Sequence, residues 1–104
     1  MKSLLSSLLF VLLSLSLANA QTGSIKGVIK EQTTGMGLPG ASVVIDGTTN
    51  GAMTDINGNF EIRSLKAGTY VLKTSYVGFV SETSQPIKVS EGESANYSIL
   101  LKEN

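Results

Sequence analysis

The sequence predicts an all-β sandwich. Beyond residue 21 its apolar residues come in short runs, Gly, Asn, Asp and Pro separate those runs, and no 3.6-residue stripe persists over a helical length. Ile25, Gly27 and Ile29 alternate with Lys26 and Lys30, the pattern of a first strand with one face in water. Residues 32–40 form a loop, because Gly35, Gly37, Pro39 and Gly40 suit turns and not a central strand. A β-branched second strand is expected over 41–46, and a short third over 52–55 after a turn at 47–51.

Asp55-Ile56-Asn57-Gly58 is the strongest hairpin signal, with Asn-Gly expected to supply the two positive-φ residues of a type I′ turn. After it, Phe60 and Ile62 point one way and Glu61 and Arg63 the other. Lys66-Ala67-Gly68 turns the chain into the longest strand, about 69–77, with Tyr70, Leu72, Thr74 and Tyr76 on one face. Gly78 is read as a bulge or bend before Phe79 and Val80, which continue in extended form. Pro86 marks an edge, and strands over 87–89 and 94–101 complete the set. About seven strands are thus expected, enough for a Greek-key sandwich of two facing sheets.

The first 20 residues read as an export signal. Lys2 supplies the positive start, Leu4 to Leu17 is a nearly unbroken apolar run, and Ala18-Asn19-Ala20 offers a small-x-small cleavage pattern. The 14-residue run is short for a ~30 Å hydrocarbon layer, so a cleaved signal is favoured over an anchor. The expected division is a signal peptide at 1–20 and one β-sandwich domain at 21–104, with no transmembrane segment in the mature chain. Lys2 leaves with the signal, so seven basic groups face eight acidic ones, a net charge of −1. Such a surface, without a basic stripe, argues against nucleic acid as a partner.

The chain contains no His and no Cys. Ser-His-Asp and Cys-His catalysis are therefore excluded, as are zinc sites of the usual nitrogen and sulfur type and stabilising disulfides. Lys73 and Ser75 share a strand face, but a Ser–Lys dyad needs a desolvated lysine and that face is expected to be wet. Asp46, Asp55 and Glu61 show no spacing that converges carboxylates on a cleft. Asp55, Asn57 and Asn59 alternate like the first ligands of an EF-hand loop. Phe60 then stands where that loop needs Gly, and Lys66 where it needs a bidentate Glu. A plain turn is the reading, with weak calcium binding at the Asp55–Asn59 turn left open. Asn96-Tyr97-Ser98 matches a glycosylation sequon inside an expected strand and receives no weight. No catalytic, cofactor-binding or metal-ligating residue is assigned, and no cofactor is expected.

Read in order, several segments resemble the carboxypeptidase regulatory-like domain. They are Ile25-x-Gly27-x-Ile29-x-Glu31, Gly37-Leu38-Pro39-Gly40-Ala41-Ser42-Val43 and Gly47-Thr48-Thr49, then Thr54-Asp55-x-x-Gly58-x-Phe60, Leu65-x-x-Gly68-x-Tyr70 and Ser75-Tyr76-Val77-Gly78-Phe79. The resemblance spans about residues 23–102 and implies a transthyretin-like, seven-stranded sandwich. Its nearer form is the domain that begins TonB-dependent outer-membrane receptors, after a signal peptide and before the TonB box, plug and barrel. The sequence here stops at Lys102-Glu103-Asn104, so the expectation is a free-standing copy or the front of a longer reading frame.

The signal, the resemblance and the lack of catalytic groups together imply a non-catalytic, exported interaction or accessory module, in the periplasm or associated with the outer membrane. Its expected partner is a protein of the cell envelope, met by strand addition at a sheet edge away from Pro86. Two alternatives remain: a carbohydrate- or surface-binding module using Tyr76 or Phe79, and an accessory domain of a separately encoded peptidase.

Overall fold

The computed structural model describes residues 22–104. The expected signal peptide, residues 1–20, lies outside the described residues. The described chain forms ten short strands: β1 (Gly23–Glu31), β2 (Ser42–Ile45), β3 (Gly51–Met53), β4 (Asn59–Leu65), β5 (Gly68–Tyr70), β6 (Leu72–Ser75), β7 (Glu82–Thr83), β8 (Ile87–Val89), β9 (Ser94–Asn96) and β10 (Ile99–Leu101). The seven expected stretches are all present. Two of them are split, and β7 is an addition.

Both splits have a local cause. The long strand divides at Val71, whose carbonyl turns away to accept the Asp46 amide at 2.8 Å. On one side of that break β5 pairs with β8, and on the other β6 pairs with β2. The last strand divides at Tyr97-Ser98. There the Tyr97 amide bonds the Lys26 carbonyl at 2.9 Å, and the Ser98 hydroxyl replaces a backbone acceptor for the Val28 amide at 3.2 Å.

One sheet places β1 at its centre, with β4 antiparallel on one side and β9 and β10 parallel on the other. The facing sheet runs β3-β2-β6-β7, and β5-β8 forms a small third sheet. The core lies between the two main sheets, where Ile25, Ile29, Val43, Leu72 and Leu101 are fully or almost fully buried. Alternation places them there: burying the inward residue of each strand removes its apolar surface from water, about 25 cal/mol per Å².

One local expectation is corrected and another is narrowed. The Asp55–Gly58 turn is not type I′, because only Gly58 (φ 85°) has positive φ. The Gly58 amide bonds the Asp55 carbonyl at 3.0 Å, and the Asp55 carboxylate accepts the Asn57 and Asn59 amides at 2.9 Å each. That is a type I turn with Asp at its first position and a left-handed glycine at its last. Nor does it join a paired hairpin, since β3 pairs with β2 and β4 with β1. Of the bulge or bend expected at Gly78 (φ 87°), the bend is present: the Phe79 amide bonds the Tyr76 carbonyl at 3.1 Å, and the chain reverses into β7.

Candidate functional site

Because β10 runs parallel to β1, with Glu31 opposite Leu101, both strands end at the same pole of the sandwich. The turn at 55–58 joins them there, its Gly58 carbonyl accepting the Ile29 amide at 2.8 Å. Ser42 pairs with both Met53 and Ser75, so the ends of the facing sheet reach that pole too. Thr54 closes the turn that leads into β2. Its hydroxyl donates to the Leu38 carbonyl at 2.5 Å and accepts the Ala41 amide at 2.8 Å, while its own amide bonds the Ala41 carbonyl at 2.9 Å. The C-terminal residues arrive at the same place: Asn104 donates to the Gly78 carbonyl at 2.9 Å, and Glu103 bridges Phe79.

Exposed apolar side chains collect at this C-terminal pole. Val77 is 93% exposed and Ile56 82%, with Met36, Met53 and Val80 also open to water. Of the large apolar residues exposed among the described residues, Leu100 alone projects from a strand of the β1 sheet. Apolar groups at loop tips leave water structured around them unless another surface covers them. The opposite pole carries Lys66, Glu91 and Glu93 on its turns.

A shallow depression of about 400 Å³ opens beside the apolar pole, lined by Gly40, Ser42, Ser75, Tyr76 and Val77. The Tyr76 ring leans on Phe79 at 5.4 Å between centroids, tilted by 59°. Both rings are half-buried, so each serves the core and presents one edge to the rim. Tyr97 spans the sandwich from the β1 sheet. Burial pushes its phenol pKa up, the Thr74 hydroxyl opposes that, and the Glu82 charge adds to it.

The residues weighed for chemistry are kept apart. Asp46 follows β2 at the far pole, Asp55 caps its own turn at the near one, and Glu61 is ion-paired with Arg63 on the outer face of β4. Among the described residues no three His, Cys, Asp or Glu side chains gather as a metal group. One oxygen of the Asp55 carboxylate is engaged by two amides, which accounts for Asp55 and Asn59 as turn residues. Lys73 and Ser75 are exposed on the outer face of β6.

Sheet edges are less available than the sequence implies. β3 has three residues and β7 two, and the β9–β10 edge breaks at Tyr97. β4 is longer, but Asn59 is closed by Asp55 and the strand bulges before Ser64 (φ 58°), leaving little more than Glu61 to Arg63 for strand addition. Pro86 stands between β7 and β8, outside any ladder. The apolar pole itself escaped the sequence reading, although Ile56 was visible as an apolar residue in a turn position that favours polar ones; Val77 falls at the end of the strand expected over 69–77.

Comparison with known proteins fits this geometry. The model of the CarboxypepD_reg-like domain matches residues 25–104. A TonB-dependent receptor of Formosa agariphila is 34% identical over 100 residues, which is 94% of this chain and 9% of the receptor. The TonB-dependent receptor SusC of Bacteroides thetaiotaomicron is 37% identical over 87 residues, 84% of this chain and 8% of the receptor. The chain thus spans less than a tenth of either relative. Among solved structures, a type II cohesin–X–dockerin complex from Acetivibrio cellulolyticus, an N-terminal interface mutant, superposes with a TM-score of 0.66 at 25% identity. That match covers 79% of this chain and 58% of the other. Among the described residues no helix is long and apolar enough to cross a membrane.

Proposed function

The chain belongs to the CarboxypepD_reg-like domain family, and from that membership we propose that it is a non-catalytic accessory module that docks on a protein of the cell envelope. Export by cleavage after Ala20 and residence in the periplasm or at the outer membrane are part of the proposal. They are supported by the signal-like first 20 residues and by the likeness to TonB-dependent receptors. Whether the module acts alone or as the front of a receptor, the same surface serves.

The observation that carries the reading is the apolar C-terminal pole, where Ile56 and Val77 stand almost fully in water. Covering such side chains with a partner's apolar surface releases the water held around them. The family motifs are spent on the fold: Leu38-Pro39-Gly40-Ala41 and Thr54 hold a turn together, and no reactive group stands at its centre.

A photocrosslinker placed at Val77 in the source cells tests this, with a second placed at Glu91 on the other pole as control. A discrete adduct from Val77 that is absent from Glu91, and lost on Ile56→Asp, is expected. Equal labelling from both positions, or none from Val77, overturns the docking surface. The mass and envelope fraction of the native species test the export claim, with a chain beginning at Gln21 the expected product.

A second reading rests on Tyr76, which lines the 400 Å³ depression next to two serines. A tyrosine edge beside hydroxyls suits a sugar ring. Glycan-array binding abolished by Tyr76→Ala supports that reading; a silent array counts against it.

A further inference from the structure

We propose that the apolar pole is an oxidation-sensitive docking surface, switched off when Met36 and Met53 each take up an oxygen atom. The inference deepens the docking reading above and rests on it. The attacking species is a hypohalous acid or a peroxide.

The sequence holds three methionines and no cysteine. Met1 leaves with the expected signal, so the mature chain keeps two sulfur atoms, those of Met36 and Met53. Neither serves the core. Each is 68% exposed, although methionine ordinarily fills gaps in buried apolar packing. Both stand at the same pole. The Gly37 backbone lies so close to the 55–58 turn that a Cβ on it would stand 1.9 Å from the Asn57 carbonyl oxygen. That approach sets Met36 beside the turn that carries Ile56. Met53 pairs with Ser42, and Ser42 pairs in turn with Ser75, two residues before Val77.

A fixed backbone displays both side chains. The Met36 carbonyl accepts the Glu31 amide at 2.8 Å, and the Met36 amide donates to the Thr34 hydroxyl at 3.3 Å. Met53 is held in the β2–β3 ladder, and the amide after it, Thr54, bonds the Ala41 carbonyl at 2.9 Å. Both thioethers are therefore open to attack without unfolding. The sulfur lone pair takes the oxygen of hypochlorous acid: an S–O bond forms, the O–Cl bond breaks, and chloride and a proton leave. Sulfur is oxidised by two electrons to the sulfoxide, and chlorine is reduced by two. With no Cys, His or Trp in the chain, these thioethers are its most readily oxidised groups. The product carries a polar oxygen where a soft apolar group stood. Water solvates that oxygen in the free domain, but a partner's apolar surface strips the water away and offers no donor in return. An exported chain meets such oxidants outside the reducing cytosol.

Source cells carrying the Val77 crosslinker are treated with dilute hypochlorous acid, beside cells whose chain also carries Met36→Leu and Met53→Leu. Leucine keeps the apolar volume and takes up no oxygen. Peptide mass spectrometry of the chain purified from the treated cells reads the sulfoxides, and urea unfolding reads the fold. Sulfoxide at both methionines, an unchanged urea midpoint and an adduct reduced about tenfold are expected. The doubly substituted chain should keep its adduct through the same treatment. Thioethers left intact, or sulfoxide at both sites with a full adduct, overturn the proposal. So does a fallen urea midpoint, or an equal loss of adduct in the doubly substituted chain. If untreated cells give no Val77 adduct, the docking reading itself fails and takes the switch with it.

Discussion

Thr54 shows how one hydroxyl can account for two distant motifs. It closes the Leu38–Ala41 turn by serving as donor to one backbone group and acceptor from another, 13 to 16 residues away in sequence. Thr54→Val keeps the shape but strands the Leu38 carbonyl and the Ala41 amide. A loss of about 2 kcal/mol is expected, read from the urea midpoint at unchanged slope. Thr54→Ser retains both bonds and should cost about 1 kcal/mol or less for the missing methyl. Tyr97 sets a pH limit. Its phenol is raised above the ordinary value chiefly by burial, so the folded state holds this proton more tightly than the unfolded chain. That contribution is complete below about pH 10, the unfolded value, and is lost as pH rises through the folded pKa. Urea midpoints measured from pH 8 upward should fall on the alkaline side, and Tyr97→Phe should flatten the fall. An unchanged slope in the variant rules Tyr97 out as its source.

At the scale of elements, the break between β9 and β10 depends on Gly27. A Cβ there would collide with the Tyr97 carbonyl and press on the Phe60 ring, 3.2 Å away. The backbone of the edge strand therefore comes in where a side chain would otherwise stand. Gly27→Ala should destabilise by about 2 kcal/mol through overpacking. Hydrogen exchange should speed at the Tyr97 amide before it speeds at Ile62, which lies on the opposite neighbour of β1. Simultaneous acceleration at both would mean that β1 itself had shifted. The same element explains why the edges are poor templates: each of them is short, kinked or closed by a turn.

For the whole molecule, the two poles differ in kind. One holds the C-terminal residues and the exposed Met36, Met53, Ile56, Val77 and Val80, and the other is polar. Val77→Ser and Ile56→Ser remove apolar area that packs on little within the domain, so each should shift stability by no more than about 0.5 kcal/mol. The same substitutions should abolish the Val77-side crosslink or reduce it severalfold. A large stability loss in either would show that the side chain belongs to the core and not to an interface. Their combined effect on folding should be additive, whereas their effect on docking should be shared if one partner surface covers both.

The strand faces were legible from the residues alone. Ile25 and Ile29, Phe60 and Ile62, and Leu72 and Thr74 all turn inward as alternation requires, because a pleated chain has a period of two and one wet face. The family likeness was legible too, since it is written in turn residues whose conformational needs are local. Which strands pair was not. Asn57-Gly58 announces a tight turn, yet whether the flanking strands join one sheet or two depends on what β1 and β2 offer them from far along the chain. The type of that turn went to Asp55, whose carboxylate captured two amides. The C-terminal pole, its apolar surface and the parallel pairing of first and last strands likewise exist only in three dimensions. They arise from long-range hydrogen bonds and burial that no local pattern encodes.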